Sequence, residues 1–204
     1  MLSDALALAL TAEIDRGLVE ANQTLESYYS LEVKKTFTWD VSQRGEVRGN
    51  LDEFRKVIED TFSDARGWRR AGIEFKYVES GADLHMVLAS PANVAAFAPG
   101  VCSDEWSCTV KPYVAINDNR WMGATDTYNN AGETLLNYRR MVLNHETGHW
   151  LGHDHLTTCG EQGLAPIMMQ QSIDLRGCNT NPWPQVDELW TTRWKWEKKP
   201  ARNF

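Results

Sequence analysis

The sequence lacks any apolar stretch that approaches the roughly 20 residues needed to span a bilayer. It also lacks an excess of positive charge: 21 Lys and Arg stand against 28 Asp and Glu, for a formal net charge of −7. Nucleic acids and anionic membrane surfaces both bind concentrated positive charge. The sequence therefore indicates a protein with no transmembrane segment and no nucleic-acid partner. Its 204 residues, 42% of them hydrophobic, suffice for one globular domain with appendages.

The N-terminus shows no secretory signal. Its short apolar run follows Asp4 and is preceded by no Lys or Arg, whereas a signal peptide begins with a positive region. The spacing of Leu6, Leu10 and Ile14 predicts an amphipathic helix instead. We therefore expect residues 1–32 to form an N-terminal helical extension.

Cysteine is scarce, with four residues in the chain. They fall as two local pairs in loop-like sequence, which favours the disulfides Cys102–Cys108 and Cys159–Cys178. Four free thiols or a four-thiolate zinc site are the alternatives, although the gaps within the pairs fit no usual zinc spacing. Disulfides would place the protein in an oxidising compartment.

The polarity pattern predicts an α+β domain. Residues 33–41 alternate polar and apolar side chains, as a half-buried strand does. A helix is predicted after the N-cap Asn50, and another from about Thr134 to Leu151. Turn residues dominate beyond Gly152. Three more strands are predicted at residues 72–80, 82–90 and 111–118, with a loop at residues 93–109.

Histidine is also rare, yet four of the five residues lie in "HETGHWLGHDH", residues 145–155. His145 and His149 share one face of the predicted helix, so both imidazoles can reach one metal ion, with Glu146 at the edge of that face. Gly152 can take the left-handed conformation that ends a helix and returns His155 to the metal. This H-E-x-x-H-x-x-G-x-x-H pattern argues against a surface helix that merely uses histidine. Three protein ligands leave one zinc position open, as in catalytic sites.

On these residues the chain resembles the metzincin metalloproteases, whose zinc helix carries the extended signature. That clan places a methionine turn, the Met-turn, beneath the zinc, and "APIMMQQ" (Ala165–Gln171) supplies one here. Met168 is the first choice for this methionine and Met169 the second. The resemblance implies a mixed twisted sheet, a backing helix, a zinc helix and a loop-rich C-terminal subdomain. The chain departs from some metzincins at Gln170, where they place a tyrosine near the zinc.

The similarity extends to an uncharacterised metzincin-like family of high-GC Gram-positive bacteria, known by a domain of unknown function. It runs from Val33 to Pro184 and is carried by segments such as "GWRRAGIEF", "VAINDNRW" and "GCNTNPWP". Those proteins are generally secreted or membrane-tethered, which implies a location outside the cytoplasm. We therefore expect a catalytic domain at residues 33–184 and a Trp- and Lys-rich tail at residues 185–204.

The resemblance implies an endopeptidase with one catalytic Zn²⁺ and a protein or peptide substrate. Zinc would lower the pKa of a bound water to about 7, and Glu146 would act as the general base. A sheet edge above the zinc helix would bind substrate by strand addition, and the strand at Tyr113–Asn117 is the expected equivalent. Two alternatives remain: a structural or attachment component of an assembly, and a zinc amidase that acts on cell-wall links.

Several other side chains have predicted structural roles. His85 lies in a strand pattern and is read as structural, and His153 as a neighbour of the metal ligands or a solvent-facing residue. Arg139 and Arg140 are read as a solvated charged face. The tryptophans of the tail, Trp190, Trp194 and Trp196, are expected to pack back onto the domain; docking to an assembly partner together with the N-terminal helix is the alternative. Trp68, Trp121 and Trp150 are expected in the core.

Overall fold

The structure, a computed structural model, describes residues 33–192, which are built around one five-stranded sheet. The predicted N-terminal helix, Trp194 and Trp196 lie outside the described residues. The sheet order is β2-β1-β3-β5-β4, in which β4 alone runs antiparallel to its neighbour. This mixed sheet with several helices confirms the α+β prediction. The strands are β1 (Lys35–Arg44), β2 (Ile73–Tyr77), β3 (Leu84–Ala89), β4 (Cys108–Val110) and β5 (Tyr113–Asn117).

The prediction that the strand at Tyr113–Asn117 forms the substrate-binding edge of the sheet is wrong. β5 lies inside the sheet, paired with β3 on one side and with β4 on the other. The edge is β4, which falls within the stretch predicted to be a loop. A strand of three residues is too short to show the alternating polarity from which strands are recognised.

Two long helices pack on one face of the sheet, and both begin at capping residues, of which Asn50 was predicted as a cap and Thr134 only as the approximate start of a helix. The side chain of Asn50 accepts a hydrogen bond from the Glu53 amide, and that of Thr134 accepts one from the Asn137 amide. Three short helices escaped the sequence analysis because five or six residues show no helical periodicity. The helices are α1 (Leu51–Ser63), α2 (Pro91–Ala95), α3 (Asp118–Gly123), α4 (Asp126–Asn130) and α5 (Leu135–Leu151).

The core lies between the sheet and the pair α1 and α5. Alternate strand residues such as Phe37 and Trp39 point into it, and Trp68, Trp121 and Trp150 are almost fully buried, as expected. The helix α5 is buried on nearly every side rather than along one stripe. Its side chains are therefore held by close packing from several directions. None of the helices in residues 33–192 is long and apolar enough to cross a membrane.

Arg139 does not belong to a solvated face, contrary to the sequence analysis. Its guanidinium donates to the Glu53 carboxylate at 2.7 Å and to the Trp121 carbonyl at 2.9 Å, and it lies 4.4 Å from the Trp121 ring centroid. Arg140 is half-buried. The side chain of Arg139 thus ties α5 to α1, a contact between residues far apart in the sequence that no local pattern reveals. His85 pairs with Asp40 at 2.8 Å, in keeping with a structural role.

Both disulfides are present, Cys102–Cys108 and Cys159–Cys178, as predicted. No free cysteine exists in the chain. The first bridge joins the start of β4 to the loop before it. The second closes the C-terminal segment on itself, where the described chain after α5 holds only two short 3-10 turns, Glu161–Gly163 and Val186–Glu188. The C-terminal part is therefore loop-rich and covalently tied, as the sequence indicated.

The two bridges differ in the length of chain that they close, with sequence separations of 6 and 19 residues. Closing a longer loop removes more entropy from the unfolded chain. We expect the pair of substitutions C159A and C178A to lower the free energy of unfolding by about 3 kcal/mol, and C102A with C108A by about 2 kcal/mol. Urea unfolding followed by tryptophan fluorescence measures both. A larger loss from the shorter loop would show that native packing, and not loop closure, dominates.

Candidate metal centre

The extended histidine motif is shaped by the end of α5. The helix stops at Leu151, and Gly152 follows with a φ of 104°, in the left-handed region that favours glycine. The amide of Gly152 donates to the His149 carbonyl, and that of His153 donates to the Gly148 carbonyl. A Cβ on Gly152 would also lie 1.9 Å from Thr192 Oγ1. The chain therefore reverses at a residue that both conformation and space restrict to glycine.

This reversal brings together the three histidines that the sequence singled out. One ring nitrogen each of His145, His149 and His155 lies within 4.8 Å of the others, and the three form a group that could hold a metal ion. His145 is buried, His149 half-buried and His155 exposed. Within residues 33–192, no further histidine, cysteine or carboxylate joins the group.

Backbone carbonyls fix the orientation of two of the rings. His145 Nδ1 lies 2.8 Å from the Ile167 carbonyl oxygen, and His149 Nδ1 lies 2.9 Å from that of His153. A carbonyl oxygen only accepts, so Nδ1 carries the hydrogen in both rings and the neutral Nε2 presents a lone pair. This is the arrangement that metal-binding histidines commonly show.

The distance between His149 Nε2 and His155 Nε2 is 3.0 Å. A lone pair on His149 at this distance requires a proton or a cation shared with His155. Two imidazole nitrogens bound tetrahedrally to zinc, at about 2.0–2.1 Å each, lie about 3.3 Å apart. The separation of this pair is therefore close to what a shared metal ion requires.

The surrounding protein lowers the pKa of all three histidines. Burial lowers that of His145 to about 3, and repulsion between protonated His145 and His149 makes a smaller contribution. Burial also lowers the pKa of His149 and of His155. A histidine binds a metal only when deprotonated, so these environments favour metal binding at neutral pH.

Glu146 lines the same cleft as the histidines and is almost fully buried. Burial raises the pKa of its carboxyl group to about 7, although a hydrogen bond from Thr109 opposes the shift. The Thr109 hydroxyl lies 2.7 Å from Glu146 Oε2 and 2.9 Å from the Glu146 carbonyl oxygen. The edge strand β4 therefore holds the carboxylate in place. The role of Thr109 was not predicted, because the three residues of β4 show no strand pattern in the sequence.

The cleft has a volume of about 640 Å³. Its walls come from the loop of the first disulfide and from β4 on one side, and from α5 and the segment after Met169 on the other. Tyr138, Met141 and Val142 supply an apolar surface beside the histidines, and the Tyr138 hydroxyl lies 3.1 Å from Ser172 Oγ. The cleft is therefore large enough for a side chain or short segment of another molecule.

Met168 packs directly against α5. It is fully buried, and a Cβ added at Gly148 would lie 2.3 Å from its sulfur. Met169 belongs to a separate cluster with Ala165 and Cys178. Of the two methionines, Met168 is therefore the one that lies against the histidine-bearing helix. Gly148 was missed, although a glycine inside a helix signals a close approach.

The described start of the tail, residues 185–192, also packs against the site. His153 is buried, not solvent-facing: its ring lies 3.9 Å from that of Trp190, and its Nε2 lies 2.8 Å from the Trp190 carbonyl oxygen. Glu188 is buried and accepts hydrogen bonds from the amides of Ile167 and Met168. The packing of Trp190 agrees with the expectation for the tail, whereas nothing in the sequence singled out Glu188.

The residues present fit a metal ion. The group offers three neutral imidazoles, two of them with the protonated nitrogen turned away towards a carbonyl, and imidazole is a ligand typical of zinc and other transition metals. The donor set does not by itself select one of these metals.

Comparison with known proteins places the chain in a family. The family model described as "Protein of unknown function (DUF3152)" matches residues 18–188. The chain belongs to this family. A search of the curated proteins gave no match.

The DUF3152 match covers every strand and helix from β1 to α5 and ends at Glu188. It begins inside the predicted N-terminal extension and includes the first four residues of the predicted tail. The division of the chain after residues 32 and 184 stays a prediction.

The contact between Gly148 and Met168 leads to a prediction about stability. Alanine normally stabilises a helix relative to glycine by about 1 kcal/mol. Here the added methyl group would overlap the Met168 sulfur, and overpacking of this kind costs about 1–3 kcal/mol. We expect G148A to lower the free energy of unfolding despite its helix propensity.

The double variant G148A with M168A provides the control, measured by thermal unfolding beside both single variants. M168A alone removes a buried side chain, which costs about 2–5 kcal/mol. If the two residues are in contact, G148A should cost less once Met168 is shortened, although its methyl group would still lie 3.1 Å from Trp68 Cζ2. Additive losses would contradict the contact.

Proposed function

We propose that the chain is a zinc-dependent peptidase of the metzincin type, with His145, His149 and His155 as zinc ligands and Glu146 as the general base. The observation that carries the proposal is the convergence of three imidazoles beside a buried carboxylate in one open cleft. The absence of a fourth protein ligand among the described residues is what a catalytic zinc site needs. Met168 serves as the Met-turn methionine.

A zinc ion bound by these histidines would act as a Lewis acid on a peptide carbonyl and on a water molecule. Glu146 accepts a proton from the attacking water and delivers it to the leaving amine. A pKa raised by burial towards 7 suits a group that must both take and return a proton near neutral pH. The hydroxyl of Thr109 holds this carboxylate in one orientation.

The position of β4 supports an extended peptide as substrate. β4 pairs with β5 on one side, and its residues Cys108 and Thr109 line the cleft together with Glu146. An extended chain can add to such an edge as a further strand, with its backbone beside the histidines. The two disulfides support a location outside the cytoplasm, because such bonds persist in oxidising compartments.

The isosteric substitution E146Q separates the base from the ligands. We expect E146Q to bind one zinc per chain, as the wild type does, and to cleave a quenched peptide library about 10²–10⁴ times more slowly. H149A should lose both zinc and cleavage. Elemental analysis and the cleavage rate measure these two effects.

The control is E79Q, which makes the same chemical change at an exposed position outside the cleft and should match the wild type. Wild-type protein that is fully zinc-loaded yet cleaves no peptide would contradict the peptidase. Cleavage of peptidoglycan instead would favour the amidase, and no hydrolysis of either would favour the role in an assembly.

A further inference from the structure

Glu188 is a buried carboxylate with no place in the proposed chemistry. It ends the 3-10 turn Val186–Glu188 and is 1% exposed. Its Oε1 accepts a hydrogen bond from the Met168 amide at 2.9 Å. Its Oε2 accepts from the amides of Ile167 and Gln185, both also at 2.9 Å. Glu188 is absent from the lining of the cleft, so it does not meet a substrate there.

Such a side chain is costly to bury unless it is well satisfied. Burial raises the pKa of Glu188 to about 7, while the three backbone amides oppose the shift. An apolar side chain of the same size would avoid the burial of a carboxylate, but it would leave the three amides without this acceptor. A carboxylate also fixes direction, because its two oxygens belong to one rigid group. These oxygens bind the amides of two successive residues, Ile167 and Met168.

Glu188 binds the amide of Ile167, the residue that orients the ring of His145, one of the three proposed metal ligands. The amide of Ile167 is bound by Glu188, and the carbonyl of Ile167 accepts the Nδ1 hydrogen of His145 at 2.8 Å. The next residue, Met168, packs under Gly148 in the middle of the motif. A movement of the Glu188 carboxylate would therefore shift both the partner of the His145 ring and the support of its helix.

A second histidine depends on the same segment of chain. His149 Nδ1 donates to the His153 carbonyl, and the His153 ring is held by the Trp190 carbonyl at 2.8 Å and by contact with the Trp190 ring. Thr191 Oγ1 also donates to the Leu151 carbonyl at the end of α5. Residues 188–191 thus support the orienting carbonyls of two of the three histidines.

We propose that Glu188 is a positioning residue for the metal, which fixes the Ile167 carbonyl and thereby the Nε2 of His145. The proposal rests on the proposed function only in that a metal ion binds these three histidines; it does not require that the protein cleave peptides. Outer partners of metal-bound histidines typically change metal affinity by about 10–100-fold when they are altered.

The test is E188Q, which keeps the size of the side chain and replaces one acceptor oxygen by an NH₂ group that faces a backbone N–H. We expect the zinc dissociation constant of folded protein, measured by competition with a chromophoric chelator, to rise about 10–100-fold. The matched control is E79Q, which makes the same chemical change on an exposed side chain outside the cleft. E79Q should stay within about twofold of the wild type, well below that range.

A second readout separates positioning from general stability. In the zinc-loaded protein, the Nδ1 hydrogens of His145 and His149 should both give slowly exchanging imidazole N–H resonances. In E188Q we expect the His145 signal to broaden or shift, while that of His149 changes less. Co²⁺ substitution should show the same change as an altered visible absorption band. If E188Q does not fold, E188D is assessed in the same way, since it keeps the charge but shortens the reach.

The outcomes are distinct. A weaker zinc affinity in E188Q with a perturbed His145 signal supports the proposal, whether or not the wild type hydrolyses any peptide. A lower melting temperature with unchanged zinc affinity and an unchanged His145 signal overturns it and leaves Glu188 a structural residue. A wild type that binds no zinc would contradict the proposed function itself, and with it this inference.

Discussion

Two hydrogen bonds from imidazole rings to backbone carbonyls orient the histidines of the candidate metal centre. The Nδ1 atoms of His145 and His149 point to the carbonyls of Ile167 and His153, and one ring nitrogen of each of His145, His149 and His155 lies within 4.8 Å of the others. Neither carbonyl belongs to a helix or a strand. The geometry of the site therefore depends on how firmly this irregular chain is held. Three features hold it: a glycine that admits Met168 beneath the helix, a buried carboxylate that binds the Met168 amide, and a disulfide that closes the segment.

The helix α5 supplies the rigid half of the arrangement. It is enclosed by α1, the sheet and the C-terminal segment, and Arg139 links it to Glu53 and to the Trp121 carbonyl. A helix that is packed on all sides cannot rotate without disturbing many neighbours. The positions of His145, Glu146 and His149 are therefore fixed relative to β4, whose Thr109 contacts the carboxylate. The histidine cluster therefore lies where the rigid helix α5 meets the irregular C-terminal segment.

The sequence predicted the local features well. Five features each depend on a few neighbouring residues, and the structure agrees with them. They are the cap at Asn50, the helix from about Thr134 to Leu151, the alternation in residues 33–41, the pairing of four cysteines and the spacing of the histidines. What it did not predict depends on distant partners or on very short elements. Arg139 is buried against Glu53, 86 positions away. His153 lies beside the ligands, one of its two predicted positions, but its burial against Trp190 was not predicted. β4 has three residues, which is too few for any pattern. Because β4 was not predicted, β5 was taken as the edge strand. Glu188 has the surroundings of a core residue but the chemistry of a surface one, so composition alone assigns it to solvent.

The bridge Cys159–Cys178 has a consequence for the lifetime of the protein. The chain between these cysteines includes Ile167 and Met168 and contains no regular helix or strand beyond one short 3-10 turn. Irregular segments with exposed tips are the places where proteases first cut a folded chain. A cut anywhere between the two cysteines opens this ring, but the two fragments stay joined through the disulfide. The nicked molecule would keep its two halves together and in register, and it would resist digestion better than its loop content suggests.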